Sequence, residues 1–426
     1  MLSVLARIKQ VILGNLVIRG SIIVFLGSSI ANLAAYLFHL AMGRMLGPAD
    51  YGVLASLISL SSFLSIPVAV LGIILVKFVS QTVNQREKAG LFVSQIIKKS
   101  LVFGLLGLLL FFLAHPLLKD LVKISSFFPF LAVGLTFYWG IFMVITTSAL
   151  QGAMEFFSLS FLTAFGSLMK LLIAFGLVWL GFGVNGAVSA LAWSVLLTAI
   201  LGYFFLGRKL TINYRKQIKI QDYFEKINEY ALMIFLSNLA LTSFFTVDVI
   251  LARYFLSPLA AGGYAALSIL GKVIFLASSS IVSVMFPLVS SRQAEGRNYA
   301  KILKLSFFLV FIASVVISFA YFLSPRLIIQ VPFGEKYLEF APNLGLFAVF
   351  ISLYSLCSLL INFFLSISYL KAIFLPVVAA ILQVILVCFY HQKISQIVIA
   401  NIITMSLLLL GLLLFYFKSL SLKKEI

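Results

Sequence analysis

Cysteine and charge are both scarce in this sequence. Its 2 cysteines, Cys357 and Cys388, sit in apolar stretches without metal-ligand spacing. No disulfide framework and no thiolate metal cluster can be built from them, so both read as small buried hydrophobes. Charged residues make up 10% of the chain against 63% hydrophobic residues, whereas a soluble domain is about 25% charged. That balance excludes a single aqueous core and requires lipid as solvent. A Gly-rich phosphate loop, a metal-ligand cluster and a nucleophile triad are also missing, and with them the usual constellations of catalysis. Enzyme, metal and cofactor are therefore not expected.

What the chain does carry is a series of apolar runs, each long enough to cross ~30 Å of hydrocarbon. Twelve transmembrane helices are expected, at about 21–43, 52–76, 100–118, 127–150, 158–180, 183–206, 230–252, 262–288, 304–323, 338–365, 368–390 and 394–417. An even number puts both termini on one side. The formal net charge of +19 is spread over the connections between spans, not gathered in one basic domain, so topology explains it better than nucleic-acid binding. The stretches Lys77 to Lys99, Arg208 to Lys226, Arg292 to Lys304 and the tail with Lys418, Lys423 and Lys424 all fall on that same side. The positive-inside rule makes it cytoplasmic, with anionic membrane lipids as neighbours of the basic loops. Ahead of the first span, Leu2, Leu5, Ile8 and Ile12 share one helical stripe within Met1 to Gly20, which reads as an interfacial helix leading into an uncleaved first span. Every outer connection is short, the longest being near Ser324 to Tyr337, so function is expected within the helices.

The chain repeats itself. After the first span comes Arg44-Met45-Leu46-Gly47-Pro48-Ala49-Asp50-Tyr51-Gly52, and after the seventh comes Arg253-Tyr254-Phe255-Leu256-Ser257-Pro258, followed by Gly262-Gly263-Tyr264. Phe78-Val79-Ser80 is echoed by Leu288-Val289-Ser290, and His115-Pro116 by Ser324-Pro325, at offsets of 209 or 210 residues. Six helices separate the copies, so the halves share one orientation and form a parallel 6+6 repeat about an axis along the membrane normal. The expected organisation is an N-terminal lobe over 1–206 (interfacial helix plus six spans), a cytoplasmic linker over 207–229, a C-terminal six-span lobe over 230–417 and a cytoplasmic tail over 418–426. A substrate path is expected between the lobes. In each turn Pro presets φ, Gly permits tight backbone and Arg snorkels to the interface, so Arg44, Pro48, Arg253 and Pro258 read as structural residues of the outer turns.

The turn at 44–52, the twelve spans and the repeat together resemble the polysaccharide-transporter family, flippases of lipid-linked oligosaccharide or O-antigen repeat units within the multidrug/oligosaccharidyl-lipid/polysaccharide exporter superfamily. The second turn keeps Arg253 and Pro258 but has one extra residue between them. The resemblance implies an all-α, MATE-like polytopic protein of the cytoplasmic (inner) membrane that moves a polyprenyl-pyrophosphate-linked oligosaccharide outward by alternating access. A cation- or proton-coupled drug exporter of the same superfamily is the nearest rival. A membrane polysaccharide polymerase or glycosyltransferase is the more distant one, lacking a catalytic constellation here.

Substrate residues are argued from polarity. Lys170 lies in the middle of span five, between Ala164 and Phe175, and Lys272 lies inside span eight. A central Lys costs ~2.5–3.5 kcal/mol on insertion scales, so each requires a water-filled cavity, an acidic partner or a neutral state. Placed at one cavity, the two ammonium groups would attract a pyrophosphate; ion pairing or snorkelling is the structural alternative. His39 and Asp248 occupy equivalent places in the repeat, each five residues before its turn Arg. Ser28, Asn32, His39 and Gly43 share about 60° of the helical wheel. The functional reading of His39 and Asp248 is coupling or gating by a proton or sodium ion. The interfacial alternative pairs Asp248 with Arg253.

Overall fold

The computed structural model describes residues 16–82, 85–210, 228–295, 297–367 and 369–422. Most of the expected interfacial helix, most of the 207–229 linker and the end of the tail lie outside the described residues. Among the described residues all regular structure is helical. The elements are α1 (Leu16–Leu64), α2 (Ile66–Gln81), α3 (Arg86–Leu113), α4 (His115–Val122), α5 (Phe128–Gly152), α6 (Phe156–Leu177), a π-helical turn (Val178–Phe182) and α7 (Gly183–Lys209). Beyond the linker come α8 (Asn228–Ser243), α9 (Val247–Phe255), α10 (Pro258–Ala294), α11 (Ala300–Leu323), α12 (Pro325–Phe333), a 3-10 segment (Glu335–Asn343) and α13 (Leu344–Ser366). A short 3-10 turn (Leu370–Ile373), α14 (Phe374–Phe389) and α15 (Ile394–Leu422) complete the chain.

Ten helical stretches among the described residues are long and apolar enough to cross a membrane, so the protein is a multi-pass membrane protein. Phe156–Lys209 holds two expected spans, and Ile22–Leu64 holds the first and the start of the second, which continues past Ser65 into α2. Ile22–Leu64 turns at Gly47, whose φ of 75° suits glycine alone, and Pro48 restarts the helix without needing an N–H partner. Phe156–Lys209 turns at the π-helical segment, where Gly181 and Gly183 have φ of 90° and 52°. Each of the twelve expected spans overlaps helix among the described residues, with non-helical breaks at Ser65 in the second, Ala114 in the third and Phe244–Thr246 in the seventh.

The chain divides into two compact units, each considered by itself. The first comprises the described parts of Met1–Met42, Leu64–Leu118 and Ser125–Ala231. Here α5 packs on α7 and α2. Close approach of α5 and α7 depends on a small residue, because a Cβ on Gly202 would stand 2.5 Å from Thr146 Oγ1. Phe78 stacks on Phe92 at 3.7 Å, and Lys209 pairs with Glu155 at 2.8 Å, tying the end of α7 to the turn before α6. Along α3, Val102, Phe103, Leu106, Leu110 and Leu113 are exposed, as expected of a face solvated by hydrocarbon.

The second unit comprises the described parts of Gly43–Phe63, Lys119–Ile124 and Leu232–Ile426. It thus includes the first repeat turn, around Gly47, and the end of α4. Its centre is α13, which packs against α10, α11 and α15 and buries Phe347, Phe350, Tyr354, Phe363 and Phe364.

Candidate functional site

In the second unit a polar cluster is built around Asp248. The helical run breaks at Phe244–Thr246, where Thr246 Oγ1 donates back to the Thr242 carbonyl at 2.6 Å. This puts Asp248 in the first turn of α9, near unpaired N–H groups that favour an anion. Its Oδ1 accepts from the Val249 N–H at 2.8 Å, and its Oδ2 accepts from Tyr264 Oη of α10 at 2.7 Å. Asn401 Nδ2 of α15 donates to Tyr264 Oη at 3.0 Å. Gln383 Nε2 of α14 reaches both Asn401 Oδ1 (2.9 Å) and the Phe244 carbonyl (3.0 Å). All four side chains have 0% exposure, and Gln383 Oε1 has no hydrogen-bond partner. Lys272, half-buried on α10, lies 5.1 Å over the Phe245 ring and within electrostatic reach of Asp248.

A buried carboxylate beside a phenol and two amides can hold a proton or a small hard cation through oxygen ligands. Among the described residues no group of three or more His, Cys, Asp and Glu is arranged to hold a metal ion.

The first unit presents a simpler arrangement. Lys170 of α6 places Nζ 4.8 Å over the Phe38 ring, and His39 meets the same ring edge-on at 5.3 Å. Lys209–Glu155 and Arg297–Glu295 are ion-paired, and neither Lys170 nor Lys272 takes part in an ion pair among the described residues. Ser28 and Asn32 of the same helix are exposed. Between α2 and α5 lies a groove of about 690 Å³ whose polar wall consists of Lys77, Thr147, Ser148 and Gln151.

The turn arginines have partners far along the chain. Arg44 donates through Nε to the Pro332 carbonyl at 2.9 Å and through Nη2 to the Val331 carbonyl, at the end of α12. Arg253 donates through Nε to the Val122 carbonyl at 3.0 Å, at the end of α4. Arg253 is 6% exposed and so does not snorkel, and Asp248 bonds Tyr264, not Arg253. Pro48 and Pro258 each stand where helix resumes after a turn, and Ser257 caps α10 by accepting from the Ala260 N–H at 3.3 Å.

The sequence-derived candidates therefore pair off within units: His39 and Lys170 about Phe38, and Asp248 with Lys272 through their charges. Tyr264, Gln383 and Asn401 were missed as site residues, Tyr264 having been read only as the close of a turn. The rule that singled out the lysines, a polar group deep in an apolar run, would have found Gln383 and Asn401.

The polysaccharide biosynthesis protein family matches residues 41–342. The chain belongs to that family. Its fold is that of a multidrug resistance MATE family transporter of the MOP superfamily in an inward-facing conformation: TM-score 0.77, 14% identity, 92% of this chain and 96% of that one covered. The lipid II flippase MurJ, in an inward closed conformation, is similar at a TM-score of 0.74 and 14% identity over 93% of this chain and 87% of the flippase. An outward-facing MATE transporter matches with a TM-score of 0.65, 14% identity and coverage of 95% and 96%. No curated protein sequence matches the chain.

Proposed function

We propose that the protein flips a polyprenyl-pyrophosphate-linked oligosaccharide from the cytoplasmic to the outer face of the cytoplasmic membrane, by alternating access of two six-helix lobes over 1–206 and 230–417. The observation that carries this reading is Lys170, a mid-span cation of the first unit that rests on an aromatic ring and has no ion-pair partner among the described residues. Keeping such a charge in the membrane is costly, and the pyrophosphate of the proposed substrate would repay it. Lys170 and Lys272 offer point-charge attraction to the pyrophosphate. Lys77, Thr147, Ser148 and Gln151 offer donors and acceptors suited to sugar hydroxyls.

Coupling to a proton or sodium ion is assigned to His39 and Asp248. Tyr264, Asn401 and Gln383 form the oxygen-bearing surround of Asp248. No bond-making step is required, so the activity is transport without catalysis. Drug export is the second reading, favoured by the likeness to multidrug transporters and opposed by the sign of the mid-span charge in the first unit.

The deciding experiment is reconstitution in vesicles with labelled polyprenyl-pyrophosphate oligosaccharide, scoring protein-dependent appearance of label on the far leaflet. Flipping of the labelled lipid is the expected result. Transport of cationic dyes without lipid flipping would replace this reading by drug export.

A further inference from the structure

The two turn arginines donate to equivalent carbonyls in exchanged partners, Arg44 through Nη2 and Arg253 through Nε. Arg44 and Arg253 are 209 residues apart, and so are their acceptors Val122 and Val331. The turn of the first sequence copy holds the end of α12, which belongs to the second copy. The turn of the second copy holds the end of α4, which belongs to the first. Both acceptor helices are short and amphipathic, and their final carbonyls have no partner within the helix and carry its negative dipole end. An arginine fork suits such a terminus better than an ammonium does. All these residues lie in the second unit. Lys123, directly after α4, stands 5.7 Å over the Tyr254 ring, and Asp50 of the first turn adds attraction for Arg253 of the second.

A second exchanged contact lies beside these bonds. Gly52 follows the first turn and Gly262 the second, and the two backbones cross there. A Cβ on Gly52 would stand 2.8 Å from Gly262 N, and a Cβ on Gly262 would stand 1.7 Å from the Pro48 carbonyl oxygen. The obstacle in each case is backbone, which cannot rotate aside as a long side chain can. The crossing closes only because both residues are glycine.

We propose that Arg44 and Arg253, with Gly52 and Gly262, form a reciprocal latch that holds the outer turns of the two sequence copies together and must release when the transporter opens outward. The role is positional: neither arginine touches substrate. It rests on the alternating-access reading but not on the identity of the substrate. Two bonds made by equivalent residues to exchanged partners resist separation of the copies jointly, whereas a purely local turn function needs neither exchange nor a glycine crossing. Each charge-assisted bond shifts an opening equilibrium by about tenfold, less where the arginine is exposed. Arg44 is exposed and Arg253 is buried.

The test is sided cysteine labelling of the full chain in vesicles, in a background with Cys357→Ala and Cys388→Ala. Ala261→Cys reports the crossing, where Ala261 is 3% exposed and borders Gly52. Glu295→Cys marks the basic side. An impermeant maleimide added opposite the basic side should label Ala261→Cys slowly in the parent. The rate should rise about threefold with Arg44→Ala, about tenfold with Arg253→Ala and by more than either with both. Arg→Lys variants should fall between, and Gly262→Ala should match or exceed Arg253→Ala with both arginines present. Parental labelling of the double alanine variant would overturn the latch. Should that variant fail to fold, parental labelling in both Gly262→Ala and Arg253→Lys would overturn it equally. The readout needs no substrate, so a failure of lipid flipping leaves it intact.

Discussion

Lys170 and Lys272 lie over phenylalanine rings at similar heights, 4.8 Å and 5.1 Å, yet they inhabit different electrostatic settings. Lys272 is within reach of Asp248, and that carboxylate is held by a phenol, a backbone amide and, through the phenol, two further amide side chains. Lys170 shares its ring with His39, and no ion pair among the described residues involves it. One unit thus carries a charge-compensated buried centre and the other an uncompensated cation. The membrane interior makes this difference consequential, because an unpaired charge there is expensive and persists only where something else requires it. On the proposed reading, Lys170 has its full charge to offer an anion, whereas Lys272 shares its charge with Asp248.

The sharpest way to break that contrast is Lys170→Gln. Lipid flipping in vesicles should fall about a hundredfold, the ~2–3 kcal/mol of a charge-assisted contact, while thermal stability in detergent stays unchanged or rises. An unaltered flipping rate would remove Lys170 from substrate binding. The second unit should respond in the opposite way. Asp248→Ala leaves the Tyr264 hydroxyl without its acceptor and Lys272 without its nearby countercharge, and should lower unfolding stability by about 2–3 kcal/mol. Asp248→Asn, which keeps the shape and one acceptor oxygen, should cost less than half of that yet abolish any dependence of transport on an imposed proton or sodium gradient.

A smaller effect separates the lysines directly. Lys272→Gln should lower flipping by about tenfold and destabilise the fold, and adding Asp248→Asn should restore part of the stability. The coupling in that double-mutant cycle should be about 1–2 kcal/mol, whereas Lys170→Gln combined with Asp248→Asn should be additive within about 0.5 kcal/mol. Smallest of all is Glu155→Gln. The Lys209–Glu155 pair is 43% and 29% exposed, so its loss should change stability by less than about 1 kcal/mol and leave flipping at the parental rate.

The repeat shows how far local pattern carries. The turn chemistry of Gly47 and Pro48 was readable because a positive φ and a missing N–H are properties of single residues. The partners of Arg44 were not, since its acceptor Pro332 lies 288 residues away. A snorkelling arginine and a latching arginine have the same sequence signature. Burial distinguishes Arg253, and burial is a property of the fold. Pairing of Asp248 with Arg253 was plausible at a spacing of five residues, yet the carboxylate is taken by Tyr264, 16 residues on, while the guanidinium turns to Val122.

Hydropathy and spacing were enough to fix the class of the molecule, an all-helical multi-pass membrane protein whose turns recur at offsets of 209 or 210 residues. Both are one-dimensional and are enforced by a solvent that leaves the backbone little alternative to helix. Which polar groups meet is a matter of packing. Asn401 reaches Tyr264 across 137 residues, Gln383 reaches Phe244 across 139, and the first repeat turn joins the second compact unit. In an apolar interior a buried polar group must find a partner, but the sequence does not specify which of the many helices supplies it. That choice is made by packing, where glycine crossings such as Gly52 with Gly262 set how closely two backbones approach and therefore which side chains come within reach.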